Sequence, residues 1–187
     1  MFVIPANAGI HGMVTNISHL NKTGLLISIK NGAWFESPSE RGFTHLAEYC
    51  MQRMIIDQCE AAGVNMQSFC VQGETTLDRV RFAIFFAPND AERVVSIVLE
   101  CCKNPPFTTH SIRQEMRELR GDFIDSYKNP YFRAGLALIP RFIKRNSSVF
   151  GSVWFHLFAR GPKREYLLQY WHKLWSASSC DVLLFGT

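Results

Sequence analysis

Between Gly42 and Ala62 the apolar residues follow the period of an α-helix, directly after a start of the chain that has the pattern of strands. The apolar residues recur at spacings of three, four and seven, and Gly63 provides a natural end to the helix. Val14–Ser18 and Leu25–Ile29 are instead apolar and β-branched, which predicts two strands joined as a hairpin. A long helix that follows strands in this way must bury its apolar face against a sheet or other helices.

The rest of the chain alternates between the two patterns. Strands are predicted at 64–71, 79–86 and 182–185, and further helices at 89–102, 109–127, 130–143 and 162–175, with a loop at 146–153. This order predicts an α+β fold, a largely antiparallel sheet with helices packed on one face. A length of 187 residues suits a single domain that spans 1–187.

Composition and charge narrow the functional classes. The net charge of +4 is spread along the chain, so we expect no dedicated nucleic-acid surface. No apolar run reaches the ~18 residues of a membrane span, and the N-terminus does not have the pattern of a secretory signal. We therefore expect a cytoplasmic protein without a membrane segment. The six cysteines form no CxxC pair, which predicts buried, reduced thiols.

His45, Glu48 and Tyr49 share one face of the predicted helix, because residues three and four apart are neighbours on a helix. In zinc hydrolases of the H-x-x-E-H type, two histidines one turn apart hold the metal and the glutamate takes a proton from the bound water. Here the fifth position is tyrosine. Taken alone, His45 and Glu48 are more simply explained as a surface pair.

The surrounding sequence strengthens the comparison of this helix with the H-x-x-E-H motif. Residues 32–49 read Gly-Ala-Trp-Phe-Glu-Ser-Pro-Ser-Glu-Arg-Gly-Phe-Thr-His-Leu-Ala-Glu-Tyr. Downstream, Glu115 and Asp122 are seven residues apart, Asn129-Pro130 follow, and residues 164–186 combine an aromatic helix with a last apolar strand. In this order and spacing the chain resembles the pitrilysin/insulinase-type (inverzincin) metallopeptidase family over about residues 10–186.

That resemblance implies a mitochondrial-processing-peptidase-like half-domain fold and a zinc site that uses residues of two helices. Glu48 would be the general base and Glu115 a supporting carboxylate, and the substrate would bind along an edge strand. The implied metal ligands are His45, Tyr49 and Asp122, and the implied edge strand contains Met66, Gln67, Ser68 and Phe69.

The departures from the family pattern weaken the implied zinc site. Tyr49 stands where the family has its second histidine, and a phenol with an ordinary pKa of about 10 is a poor ligand. Asp122 stands where the family has glutamate and is one methylene shorter, and residues 66–69 do not keep the family's edge-strand sequence. We therefore expect weak zinc binding or none, with Tyr49 packing or hydrogen bonding inside the former metal site. Glu48 and Asp122 would then need His45, water or an arginine as partner.

Three functions follow from these observations. The first is a non-catalytic or weakened peptidase-like subunit that binds peptide or supports an active partner in peptide or protein processing. Its partner would be a second copy of the fold, as a homo-oligomer or as a heterodimer with an active family member. The second is an active zinc metalloendopeptidase with a variant site, which cleaves small peptides or a precursor. The third is an unrelated α+β interaction domain.

The C-terminal third is rich in aromatic residues, with basic residues between them. Such a pattern is typical either of a stacking surface for nucleic acid or of an amphipathic helix that docks its aromatic face. We favour the docked helix. The aromatic residues concerned are Trp154, Phe155, Phe158, Tyr166, Tyr170, Trp171 and Trp175.

Overall fold

The computed structural model describes residues 10–15, 23–142, 162–177 and 180–186, with the backbone alone for residues 10–15, 136, 138–142 and 177. The strands are β1 (Ile10–Thr15), β2 (Thr23–Ile29), β3 (Cys70–Thr75), β4 (Val80–Phe86) and β5 (Cys180–Phe185). The α-helices are α1 (Phe43–Ala61), α2 (Ala91–Lys103), α3 (Thr109–Lys128), α4 (Pro130–Phe142) and α5 (Arg164–Ala177). Short 3-10 turns at Ala33–Phe35 and Pro88–Asp90 precede α1 and α2.

The described strands form one sheet in the order β1-β5-β2-β4-β3. β1 is parallel to β5, and the other neighbours are antiparallel. The predicted hairpin of the first two strands is wrong, because β5 lies between them and β4 takes the other edge of β2. A local pattern could not reveal this, because the partner of β2 comes from the far end of the chain.

Helix α1 is central to the packing, since it contacts β3, β4, α2, α3 and α5. The sheet supplies a buried face to these helices: Val80, Phe82, Ile84 and Phe86 on β4 are fully buried and alternate with less buried residues. The predicted α+β fold, with a largely antiparallel sheet and helices packed on it, is confirmed. Most of the predicted helices agree with the structure to within two residues at each end.

Trp171 fixes α5 against the rest of the core. Its side chain is fully buried, and its Nε1–H donates a hydrogen bond to the Cys102 carbonyl over 2.8 Å. The ring meets Phe82 and Phe107 edge-on and stacks on Trp175. In this part of the aromatic stretch the docked helix is the arrangement observed. Residues 154, 155 and 158, and the predicted loop at 146–153, lie outside the described residues.

The cysteines are free thiols, and all are buried except Cys70 at the start of β3. The prediction of buried thiols is therefore wrong for Cys70, whose side chain is left uncovered at the edge of the sheet. Within the described parts of the chain, no helix is both long and apolar enough to cross a membrane.

The loop after β2 lies directly against the turn between β3 and β4. The Ala33 and Trp34 amides donate to the Thr76 and Leu77 carbonyls, over 3.0 and 2.8 Å. A Cβ on Gly32 would lie 2.4 Å from both the Arg79 nitrogen and the Thr76 oxygen, which are backbone atoms. The contact therefore requires glycine, although the backbone of Gly32 is extended.

We expect Gly32→Ala to lower the free energy of unfolding by roughly 1–3 kcal/mol, because the methyl group forces the two backbone segments apart. Gly121→Ala is the matched control: it lies within α3, and an added Cβ meets nothing within 4 Å. Alanine should stabilise that exposed helical position by roughly 0.5–1 kcal/mol. Urea unfolding followed by circular dichroism measures both changes. Equal stability of Gly32→Ala and the unsubstituted protein would contradict the close approach.

Candidate functional site

The start of helix α1 is held by a buried carboxylate from the preceding loop. Glu36 accepts hydrogen bonds from the Gly42 amide (2.8 Å) and the Thr44 amide (2.9 Å), and its side chain is buried. Gly42 has a φ of 84°, a left-handed conformation that suits glycine. Burial raises the pKa of Glu36, and the two amide hydrogen bonds oppose that shift. The loop between Glu36 and Gly42 thereby sets where the first turn of α1 begins, and with it the position of His45.

A second contact links the same turn to α5. The Thr44 and Tyr170 hydroxyls are 2.6 Å apart and buried, and burial raises the pKa of Tyr170 well above its ordinary value. Lys173 of α5 bonds to the Glu40 carboxylate at 2.9 Å. Together these contacts anchor the first turn of α1, and the loop before it, to α5.

Glu48, the predicted general base, points from α1 into the contact with β3. It is only 2% exposed, and its Oε2 accepts a hydrogen bond from the Thr75 hydroxyl over 3.3 Å. Its Oε1 has no hydrogen-bond partner among the described residues and lies over Gly73, where an added Cβ would be 1.8 Å away. Burial raises the pKa of Glu48 to about 8, so the carboxyl group is largely protonated at neutral pH.

His45 lies beside Glu48, with 3.9 Å between its Nε2 and the Glu48 Oε2. Its ring meets the Tyr49 ring edge-on, with 5.0 Å between the centroids. Burial lowers the pKa of His45, which makes the imidazole neutral at neutral pH. The predicted histidine ligand is therefore in the correct protonation state for metal binding, but its neighbour on the helix is an aromatic ring.

Tyr49 and Asp122 are joined to each other. The Tyr49 hydroxyl donates a hydrogen bond to Oδ2 of Asp122 over 3.1 Å, which links α1 to α3. Burial, and secondarily the Asp122 charge, raises the pKa of Tyr49 to about 12. The phenol is thus a neutral donor, and it uses one oxygen of the carboxylate that was predicted to hold the metal.

Arg53 occupies the next position along the same face of α1. Its Nε–H donates to Oε1 of Glu115 over 3.3 Å, and its second guanidinium nitrogen donates to Glu118 over 3.2 Å. Burial raises the pKa of Glu115, while the Arg53 guanidinium opposes the shift. The predicted supporting carboxylate is therefore held in an ion pair between α1 and α3.

The structure thus brings the three predicted ligands His45, Tyr49 and Asp122 together, but not as a set of metal donors. A zinc ligand must present a free lone pair, and a tyrosine must lose its proton to do so. Within the described residues no group of three or more His, Cys, Asp or Glu side chains is placed to hold a metal ion. The residues present do not fit zinc in this arrangement.

The predicted edge strand is misplaced. Met66, Gln67, Ser68 and Phe69 lie in a turn, and the edge strand β3 begins at Cys70. Asn65 organises this turn: its side chain accepts from the Gln67 amide over 3.1 Å, and its carbonyl accepts from the Ser68 hydroxyl over 3.2 Å. Such side-chain bonding by asparagine competes with strand formation and is typical of turns.

Four residues of the site were not singled out from the sequence. Gln52 and Arg53 follow Glu48 and Tyr49 by four residues, so helical spacing alone could have indicated them. Gly73 and Thr75 gave no such signal, because their contact with α1 depends on the register of β3. Gln52, Arg53 and Gly73, together with Glu48, Tyr49 and the glutamates of α3, line an open groove of about 460 Å³ between α1, β3 and α3.

No family model matches this chain, and no curated protein matches it. Several solved structures are similar to this chain in fold. The periplasmic protease PqqL from Escherichia coli is similar over 96% of this chain and 21% of that chain, with 17% identity and a TM-score of 0.70. The first half of that protease is similar over 96% of this chain and 41% of that chain, with 16% identity and a TM-score of 0.70.

A conserved protein from Enterococcus faecalis V583 is similar over 98% of this chain and 48% of that chain, with 14% identity and a TM-score of 0.67. The chain thus spans between about a fifth and a half of these proteins. At such low identity the likeness shows the fold alone, which this chain shares with the first half of PqqL.

The raised pKa of Glu48 predicts a pH dependence of stability. Between its ordinary value of 4.5 and about 8, the folded protein holds a proton that the unfolded chain has lost, so stability falls as the pH rises. The lowered pKa of His45 acts in the opposite direction below 6.5. Between pH 6.5 and 8 the free energy of unfolding should therefore fall with a slope of up to about 1.4 kcal/mol per pH unit.

Urea unfolding at several pH values measures this slope. Glu48→Gln should remove most of it, because the amide does not titrate and can still bond to Thr75; the buried thiols, whose pKa values burial also raises, keep a smaller slope near pH 8. Glu60→Gln, an exposed carboxylate on the same helix, should keep the slope of the unsubstituted protein. An unchanged slope in Glu48→Gln would show that Glu48 is ionised in the folded protein.

Proposed function

We propose that this chain is a non-catalytic peptidase-like domain, which binds a peptide or protein and supports an active subunit in peptide or protein processing. The observation that carries the proposal is the hydrogen bond from the Tyr49 hydroxyl to Asp122. Through this bond Tyr49 and Asp122, two of the three residues that would hold the metal, are each other's hydrogen-bond partners. Both substitutions, tyrosine for histidine and aspartate for glutamate, thereby serve one contact between α1 and α3.

The protonation states support the same conclusion. A general base must be ionised to take a proton from water, whereas the raised pKa of Glu48 keeps most of this group protonated at neutral pH. Glu48 is also 98% covered, packed over Gly73 and bonded to Thr75. It is therefore held as a packing and hydrogen-bonding group of the interface between α1 and β3.

The proposed partner is a second unit of the same fold, as a homo-oligomer or as a heterodimer with an active subunit. The similar structures support this, because this chain covers less than half of each of those chains. Trp34, Phe35 and Leu77 form an exposed apolar cluster at the turn between β3 and β4, and such clusters are common at protein interfaces. A cytoplasmic location is part of the proposal.

An active zinc metalloendopeptidase is the competing proposal, with Glu48 as general base. The neutral imidazole of His45, close to Glu48, is the observation that favours it. In that case the Tyr49 to Asp122 hydrogen bond would have to break and the phenol would have to lose its proton. Because the pKa of Tyr49 is about 12, loss of the phenol proton is strongly disfavoured at neutral pH.

We expect chelator-treated protein to bind no stoichiometric zinc in a calorimetric titration. The double substitution Tyr49→His with Asp122→Glu should raise zinc affinity by roughly 100-fold or more, because it supplies a neutral imidazole and the missing methylene. Adding His45→Ala to the double variant should remove the gain, which is the control for specific ligation. These measurements need no assumption about substrate.

Two results would contradict a non-catalytic domain. One is stoichiometric zinc in the unsubstituted protein that is lost on His45→Ala. The other is cleavage of an unstructured peptide library by the unsubstituted protein that is abolished by Glu48→Gln. The first result would establish a zinc site at His45, and the second would establish the competing zinc peptidase.

A further inference from the structure

Strand β3 is the last strand of the sheet on its side, among the residues that the structure describes. The direction of its main-chain groups follows from the hairpin that joins it to β4. There the Thr76 amide donates to the Arg79 carbonyl over 2.9 Å. Main-chain groups alternate in direction along a strand, so residues 70, 72 and 74 face β4, while Val71, Gly73 and Thr75 face the open edge.

Gln52 of α1 bonds to two of these edge groups at once. Its Oε1 accepts from the Gly73 amide over 3.2 Å, and its Nε2 donates to the Val71 carbonyl over 3.2 Å. A strand added beside β3 would have to take the same amide and the same carbonyl. One carboxamide therefore stands in for one residue of a neighbouring strand.

The absence of a side chain on Gly73 allows this contact. A Cβ at that position would lie 2.9 Å from Oε1 of Gln52, besides its collision with Glu48. The strand can therefore lie directly beneath α1, within reach of the Gln52 side chain. Gln52 itself is partly exposed and borders the groove between α1, β3 and α3, so its carboxamide has open space into which it can rotate.

We propose that Gln52 is an intramolecular cap, which closes the middle of the β3 edge to strand addition by another polypeptide until its carboxamide rotates into the groove. The ligand controlled in this way is an extended peptide segment that binds through its main chain. The cap explains how an exposed sheet edge is protected from indiscriminate pairing, which edge strands otherwise invite. This inference goes beyond the proposed function and stands whether or not the domain binds zinc.

Amide hydrogen exchange tests the cap directly. Gln52→Ala should raise the exchange rate of the Gly73 amide by about tenfold or more, since that amide loses its acceptor. The Gln72 and Glu74 amides, which face β4, should keep their rates. Gln58→Ala removes an exposed glutamine from the same helix and is the matched control, with no expected change at Gly73. A uniform rise at all three amides would indicate general destabilisation and would overturn the cap.

Peptide binding tests the consequence. The probe is a fluorescein-labelled octapeptide of alternating Thr and Val with a lysine added at each end, and its control carries two prolines in place of central residues. Gln52→Ala should bind the probe about tenfold more tightly than the unsubstituted protein, while the proline peptide should bind to neither. Equal affinity of the two proteins for the probe, or equal binding of both peptides, would overturn the proposal.

Gln52→Glu provides a second route should the alanine variant fail to fold. A carboxylate keeps the acceptor for the Gly73 amide but cannot donate to the Val71 carbonyl. It should leave Gly73 protected while it raises probe affinity above that of the unsubstituted protein. If Gln52→Glu matches the unsubstituted protein in both Gly73 exchange and probe affinity, the contact with Val71 does not block strand addition. That result would overturn the proposal.

Discussion

The close approach of α1 to β3 at Gly73 is the constraint on which the rest of this site depends. Because Gly73 has no side chain, Glu48 can lie directly on the strand, and Gln52 can reach its main chain from one turn further along the helix. The depth of this contact buries the Glu48 carboxyl group and raises its pKa. Any larger residue at position 73 would move α1 away from the edge strand β3. Glu48 and Gln52 would then lose their contacts with that strand.

Neighbouring residues on the same face of α1 hold α3, through the bonds of Tyr49 to Asp122 and of Arg53 to Glu115 and Glu118. These are contacts between helices, made by residues that lie on the side facing the groove. Tyr49 and Asp122 complement each other as a hydrogen-bond donor and an acceptor. The two residues are therefore best understood as a pair.

Much of the fold and of the candidate site could be predicted from the sequence, and the predictions that were wrong have physical causes. The helical period of 42–62 located α1 to within one residue of each end, and spacing within helices placed His45, Glu48 and Tyr49 on one face. The pairing of β1 with β5 could not be predicted, because it joins segments about 170 residues apart in the chain. The start of β3 was misjudged because Asn65 directs a turn through side-chain bonds that hydrophobic pattern does not register. Gly73 and Thr75 were missed because their roles exist only once β3 lies beneath α1.

The ion pairs of Arg53 have a consequence for how this region assembles. In a metal centre, carboxylates from separate helices are gathered by a cation taken from the medium, so the local structure depends on ion supply. Here the positive charge is a covalent part of α1 and arrives with the helix itself. The attraction that draws α3 towards α1 therefore operates from the moment the two helices meet during folding. The geometry of this face then needs no metal ion from the medium, although dissolved salt weakens the partly exposed pair of Arg53 with Glu118.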